Sequence, residues 1–181
     1  MRAPQVPSDP TDINALGHYL KQGDPDGRLG ALGLSQLLIS NRAHLDVAEV
    51  VSQALKDGHG HSPHTVVILY DKTDIRRDGQ DLKKAVTDEL ATRFSVNSCV
   101  LGDEVTELHA SEKVLDTATA AIAKAEVVVT VGSGTITDVG KVACSRHDNK
   151  PLVAVQTAAS VDGFTDDCLL YTSDAADEVV R

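Results

Sequence analysis

Five apolar or β-branched residues, Val127 to Val131, run directly into Gly132-Ser133-Gly134, and this junction constrains the fold more than any other stretch of the chain. A run of that kind predicts a strand buried on both faces. Beyond the glycines, Ile136, Val139, Gly140 and Ala143 recur at helical spacing, so the order is strand, tight turn, helix. Backbone N–H groups are then left open at a helix N-terminus, where the dipole favours an anion and the missing Cβ atoms permit close approach. The ligand suited to such a turn carries phosphate.

Two familiar phosphate motifs do not fit the spacing. Five residues separate Gly134 from Gly140-Lys141, one more than a nucleotide-triphosphate loop has, and Val142 stands where Ser or Thr would hold magnesium. The dinucleotide fingerprint G-x-G-x-x-G would need a glycine where Thr137 sits.

The rest of the chain predicts an alternation around this unit. Residues 1–30 hold four of the six prolines and the loop-like GDPDGRLG, and are expected to be a partly ordered leader. Leu34 to Ile39 predicts the first strand. Asp46-Val-Ala-Glu49 has capping spacing for a helix whose apolar face is Val47, Val51, Ala54 and Leu55. Thr65 to Tyr70 predicts a strand, Leu82, Val86, Leu90 and Phe94 a helix, and Val96 to Leu101 a weaker strand. Ser111 to Lys124 predicts a helix with Val114, Leu115, Ala118 and Ile122 inward, and a strand LVAV follows Pro151. Five strands alternating with four helices imply an α/β fold: a mostly parallel, Rossmann-like sheet with flanking helices and ligands at the carboxyl ends of its strands.

Composition narrows the function classes. A net charge of −10 over 181 residues argues against a nucleic-acid partner. No apolar run approaches a membrane span, and Met1 to Pro10 is too polar and proline-rich for a signal peptide. Three cysteines without paired spacing suit a reducing cytoplasm. His59, His61 and His64 in the loop HGHSPH read as solvated rather than metal-binding, because glycine and proline surround them.

Asp71, at the tip of the second expected strand, has two readings. It can accept both ribose hydroxyls of NAD, or it can simply begin a turn. Lys72, Arg76 and Arg77 follow closely and could hold the 2′-phosphate of NADP, so cofactor preference stays open. Asp138 and Lys141, three apart on the expected helix, read as a surface ion pair, and Cys144 and His147 as packing and cap residues.

The sequence GSGTITDVGK, the strand LVAV after Pro151, the turn TAASVDG and the upstream LHASEKVLDTATAAI together resemble the metal-dependent polyol dehydrogenases. That family includes glycerol dehydrogenase, sn-glycerol-1-phosphate dehydrogenase and, more distantly, dehydroquinate synthase; the T-A-x-S-x-D-G form is most similar to the second of these. The resemblance implies that Gly132, Ser133, Gly134, Thr135 and Ile136 hold the diphosphate of NAD or NADP, and that Thr157, Ala158, Ala159 and Ser160 run along the nicotinamide. It implies that Asp162 faces the substrate. Asp166 stands where the family has a cofactor-contacting serine.

The resemblance further implies NAD(P)-dependent interconversion of glycerone phosphate and sn-glycerol 1-phosphate, a step of phospholipid biosynthesis. A divalent metal, usually zinc, would act as Lewis acid on the substrate oxygen. Its ligands, an acid and two histidines, belong to a helical downstream domain, so neither metal ligands nor catalytic residues are assigned within this chain. The partner is then a small phosphorylated polyol, in a cytoplasmic enzyme that can be a homo-oligomer. Glycerol, another polyol or a dehydroquinate-synthase-type ligand is the alternative substrate, and a non-catalytic nucleotide-binding domain the alternative function. Residues 31–167 are expected to form the dinucleotide-binding domain. Cys168 to Glu178, CLLYTSDAADE, reads as the translation of a sequencing adapter, which makes 168–181 a non-native tail and leaves the fragment without turnover.

Overall fold

A computed structural model describes residues 5–28, 33–55, 64–102 and 108–157. The chain divides into two compact units, with the boundary between Ala43 and His44.

In the first unit, helix α1 spans Ile13–Gly23. Asp12 caps it, its carboxylate accepting the Ala15 N–H at 2.9 Å, and Lys21 lies in the last turn, where the dipole favours a cation. The expected leader therefore contains an ordered helix. The strand expected over Leu34 to Ile39 is absent: those residues form no ladder, and Leu38 and Ile39 are 41% and 64% exposed. An apolar run becomes a strand only where a neighbouring edge accepts its backbone bonds, and among the described residues every strand of the sheet lies between residues 65 and 156.

The second unit contains α2 (Val47–Ala54), β1 (Thr65–Tyr70), β2 (Arg76–Arg77), β3 (Gln80–Asp81), α3 (Leu82–Ala91), β4 (Ser95–Val100), α4 (Glu112–Ala121), β5 (Val127–Gly132), α5 (Gly134–Ser145) and β6 (Leu152–Gln156). Helix α2 begins where Asp46 predicts, but the Asp46 side chain makes no capping bond, and Glu49 turns instead to Arg93 at 2.9 Å. The short hairpin β2–β3 turns on Asp78 and Gly79, both at positive φ, as a two-residue Asp-Gly turn requires.

Strands β4, β1, β5 and β6 form, in that order, a wholly parallel sheet. Residue alternation along the strands divides the core. Val66, Ile68, Val127, Val129 and Val131 face α2 and α3, whereas Val67, Leu69 and Val128 face α4 and α5. The crossover from β1 to β4 thus uses a helix on one face, and that from β5 to β6 a helix on the other. The winding direction reverses between β1 and β5, which are paired from Val66↔Val127 to Leu69↔Thr130. A crevice beyond the carboxyl ends of two such strands is where open parallel sheets bind ligands.

Two glycines set how closely α5 lies on this sheet. A Cβ on Gly132 would fall 2.9 Å from Ile136 Cγ1, and one on Gly140 would fall 2.5 Å from Thr130 Cγ2 and 3.3 Å from Leu152 Cδ1. The close-packing role of the third fingerprint glycine is therefore filled at Gly140, almost one turn after Thr137. Thr130 itself is 1% exposed, and its hydroxyl has no hydrogen-bond partner among the described residues. Thr130→Val keeps the branched shape and removes that orphan group, so urea denaturation should show a gain of about 1 kcal/mol with an unchanged m-value. A loss of stability would mean that the hydroxyl is satisfied.

Candidate dinucleotide site at the carboxyl ends of β1, β5 and β6

The site is built outward from β5, in which every residue is buried. Ser133 is the N-cap of α5 in extended conformation, and its side chain makes no capping bond. The first helical bond of α5 runs from the Thr137 N–H to the Ser133 carbonyl at 3.2 Å. The N–H groups of Gly134, Thr135 and Ile136 consequently lie outside the helix's own ladder. No acid occupies this first turn to compete for them. Gly134 and Ile136 are buried while Ser133 and Thr135 are half-buried, so the turn presents small groups rather than bulky side chains.

Its neighbours follow from the register. Gly132 pairs with Gln156, and the Thr157 N–H donates to the Gly132 carbonyl at 3.2 Å, bringing Thr157 beside Ser133. On the other side, Leu69 is level with Thr130, so Asp71 emerges from β1 level with Gly132 on the adjacent strand. The structure thus brings together Asp71, Gly132, Ser133, Gly134, Thr135, Ile136 and Thr157. Ala158, Ala159, Ser160, Asp162 and Asp166 lie outside the described residues, as do His59, His61 and residues 168–181.

Asp71 does begin a turn. Its Oδ1 accepts the Thr73 N–H at 3.1 Å and the Lys83 ammonium at 3.1 Å, and its Oδ2 accepts the Thr73 hydroxyl at 2.9 Å. Burial, the strongest single influence, pushes the carboxyl pKa up; Lys83 and Thr73 together outweigh it and hold the group below the usual carboxylate range. Lys83 also donates to the carbonyls of Asp71 and Thr73, which fills its three N–H positions, and it lies 5.3 Å from the centre of the Tyr70 ring. The sequence reading missed Lys83. Its signal was a pair of lysines, 83 and 84, opening a helix where the dipole disfavours cations.

Other expected roles are revised or borne out by their surroundings. Asp138 and Lys141 stand 3.6 Å apart with side chains only 14% and 15% exposed, so they are a largely covered pair and not a surface one. Cys144 is a core residue whose thiol is pushed up to about 12 by burial, which makes it inert. His147 donates its backbone N–H to the Cys144 carbonyl at 3.0 Å, closing the end of α5, and its ring Nε2 lies 2.9 Å from the Thr119 carbonyl. His64 lies 2.7 Å from Glu126, at the opposite, amino-terminal edge of the sheet. Arg76 is paired with Asp74 at 3.0 Å and Arg77 lies 3.8 Å from Asp78.

Comparison with known proteins follows this geometry. Residues 42–178 match the family model for iron-containing alcohol dehydrogenases. The sequence matches none of the curated proteins with which it was compared. Among solved structures, a protein assigned as an alcohol dehydrogenase from Ralstonia eutropha JMP134 is similar at 18% identity and a TM-score of 0.51, over 72% of this chain and 32% of that one. Maleylacetate reductase from Agrobacterium tumefaciens is similar at 22% identity and a TM-score of 0.49, over 67% of this chain and 30% of that one. At this identity the likeness to the first of them concerns fold alone, and the chain spans about a third of the length of either structure. No helix among the described residues is long and apolar enough to cross a membrane.

Proposed function

The chain belongs to the iron-containing alcohol dehydrogenase family, and we propose on that premise that it provides the nicotinamide-dinucleotide site of an oxidoreductase acting on a CH–OH group. One observation carries this reading: the small-residue turn Gly132-Ser133-Gly134 opens its helix N-terminus at the winding reversal of a parallel sheet, with no competing acid in the first turn. The N–H groups of Gly134, Thr135 and Ile136 would take the cofactor diphosphate, with the Ser133 hydroxyl as a further donor. Thr157, Ala158, Ala159 and Ser160 would follow toward the nicotinamide, and Asp166 would add a contact in place of a serine.

When bound, the dinucleotide supplies the hydride acceptor or donor. The contribution of this chain is to hold the diphosphate, fix the ring's direction and exclude water beside β5. Asp162 would accept hydrogen bonds from substrate hydroxyls, and a phosphorylated polyol, in the pair glycerone phosphate and sn-glycerol 1-phosphate, is the substrate that the sequence TAASVDG favours. For the divalent metal that membership implies, zinc being our expectation, the described residues hold no group of three or more His, Cys, Asp or Glu able to bind it. No step is therefore assigned to a metal held by them.

Titration of the purified 181-residue chain with NADH and NADPH, followed by nicotinamide fluorescence and calorimetry, tests the reading. Saturable 1:1 binding that weakens as inorganic diphosphate is added is the expected result. Absence of saturation with either dinucleotide would overturn it.

A further inference from the structure

Lys83 is an expensive residue to place where it is. Its side chain is 11% exposed, it begins a helix whose dipole repels it, and it spends all three donors on the loop that leaves β1. Replacing a buried ion pair with apolar residues is often neutral or stabilising, so fold stability alone is a weak reason for such an arrangement. Departures from local rules without a structural gain concentrate at functional sites.

The arrangement changes what Asp71 can do. A carboxylate has about four acceptor positions, and three of them are filled by Thr73 and Lys83. A ribose diol asks for two. A carboxylate at this place also rejects a 2′-phosphate through its unpaired charge, yet here an ammonium 3.1 Å away compensates that charge. Lys83 therefore reduces both properties that would make Asp71 select NAD, the first of them together with Thr73. The hairpin β2–β3 that follows the same loop adds no net positive charge, since Arg76 and Arg77 stand with Asp78 and Asp81 in it and lie 3.0 Å from Asp74 and 3.8 Å from Asp78.

We propose that Lys83, by occupying Asp71, sets how the site treats the 2′ position of the adenosine ribose, so that the chain accepts NADH and NADPH alike. This rests on the dinucleotide reading above and goes beyond it by naming a specificity-determining pair. Lys83 acts through Asp71 and is a positioning residue.

The test is the ratio of the two affinities, measured on the full chain with NADH and NADPH. Wild type should bind both within about threefold. Lys83→Met keeps the aliphatic stem and frees the carboxylate, so NADPH should weaken at least tenfold relative to NADH. The double variant Lys83→Met/Asp71→Asn removes the exposed charge and should restore a ratio near that of wild type; it also leaves no unpaired carboxylate, which keeps the comparison available if the single variant does not fold. A change in general stability would move both affinities together and leave the ratio alone. Wild type preferring NADH tenfold or more, an unchanged ratio in Lys83→Met, or a shifted ratio in the double variant would each overturn the assignment of Lys83. Failure of every variant to saturate with either dinucleotide would instead remove the dinucleotide reading on which it rests.

Discussion

Gly140→Ala is expected to destabilise the second unit by about 2 kcal/mol, although alanine is the better helix former. The propensity gain is about 1 kcal/mol. Against it, the new methyl would fall 2.5 Å from Thr130 Cγ2 and 3.3 Å from Leu152 Cδ1, and overpacking of a dense core costs about 1 to 3 kcal/mol or more. Thr130 cannot turn aside, being β-branched and 1% exposed in the middle of the sheet. The cost should appear in thermal unfolding as a fall in Tm of roughly 5 to 10 °C. Thr130→Ala in the same chain removes the obstructing methyl, so the double variant should recover at least about 1 kcal/mol relative to additivity. Additive effects would mean that α5 rides at a greater distance from β5 than the packing indicates.

Ser133→Asp should move stability and binding in opposite directions. Asp is a preferred N-cap and its charge suits a helix N-terminus, so α5 should gain about 0.5 to 1 kcal/mol. The same carboxylate would claim the N–H groups of the first turn, which now lie outside the helical ladder. It would also set a negative charge against the diphosphate. Two unit charges 4 Å apart near a protein surface interact by about 4 kcal/mol, so even partial screening leaves an affinity loss of about 100-fold or more. Denaturation and NADH titration of one preparation provide both readouts. A stabilised variant that binds NADH as wild type does would show that the diphosphate lies elsewhere.

Which features could be read in the sequence depended on whether their determinants were local. Strands β1 and β5 were legible because burial on two faces leaves continuous apolar runs, and the helices α2 to α5 because burial on one leaves helical spacing; the edge strands β4 and β6, only partly buried, left weaker signals. The Gly132-Ser133-Gly134 turn was legible because few other residues permit it. Leu34 to Ile39 misled, since a strand requires a partner edge that its own residues do not encode. Helix α1 was obscured by the prolines around it, although Asp12 and the spacing after it carried the capping signal. The DG of Arg77-Asp78-Gly79-Gln80 was a hairpin signal passed over because its flanking strands are only two residues each. At the site, the amides outside the helical ladder could be anticipated from glycine content. The occupation of Asp71 by Lys83 could not, because the two residues are twelve apart and only the return of α3 onto β1 brings them together.

The central position of β1 bears on the order in which the molecule can assemble. β1 leaves the ribosome first of the four parallel strands, yet one of its edges must wait for β5, which begins 27 residues after β4 ends. At about 5 to 20 residues per second of synthesis, the apolar edge from Val66 to Leu69 stays open for roughly one to five seconds in each nascent chain. During that interval β4 and α3 guard only half of the strand's neighbours, and a chaperone that shields extended apolar segments has its opportunity there.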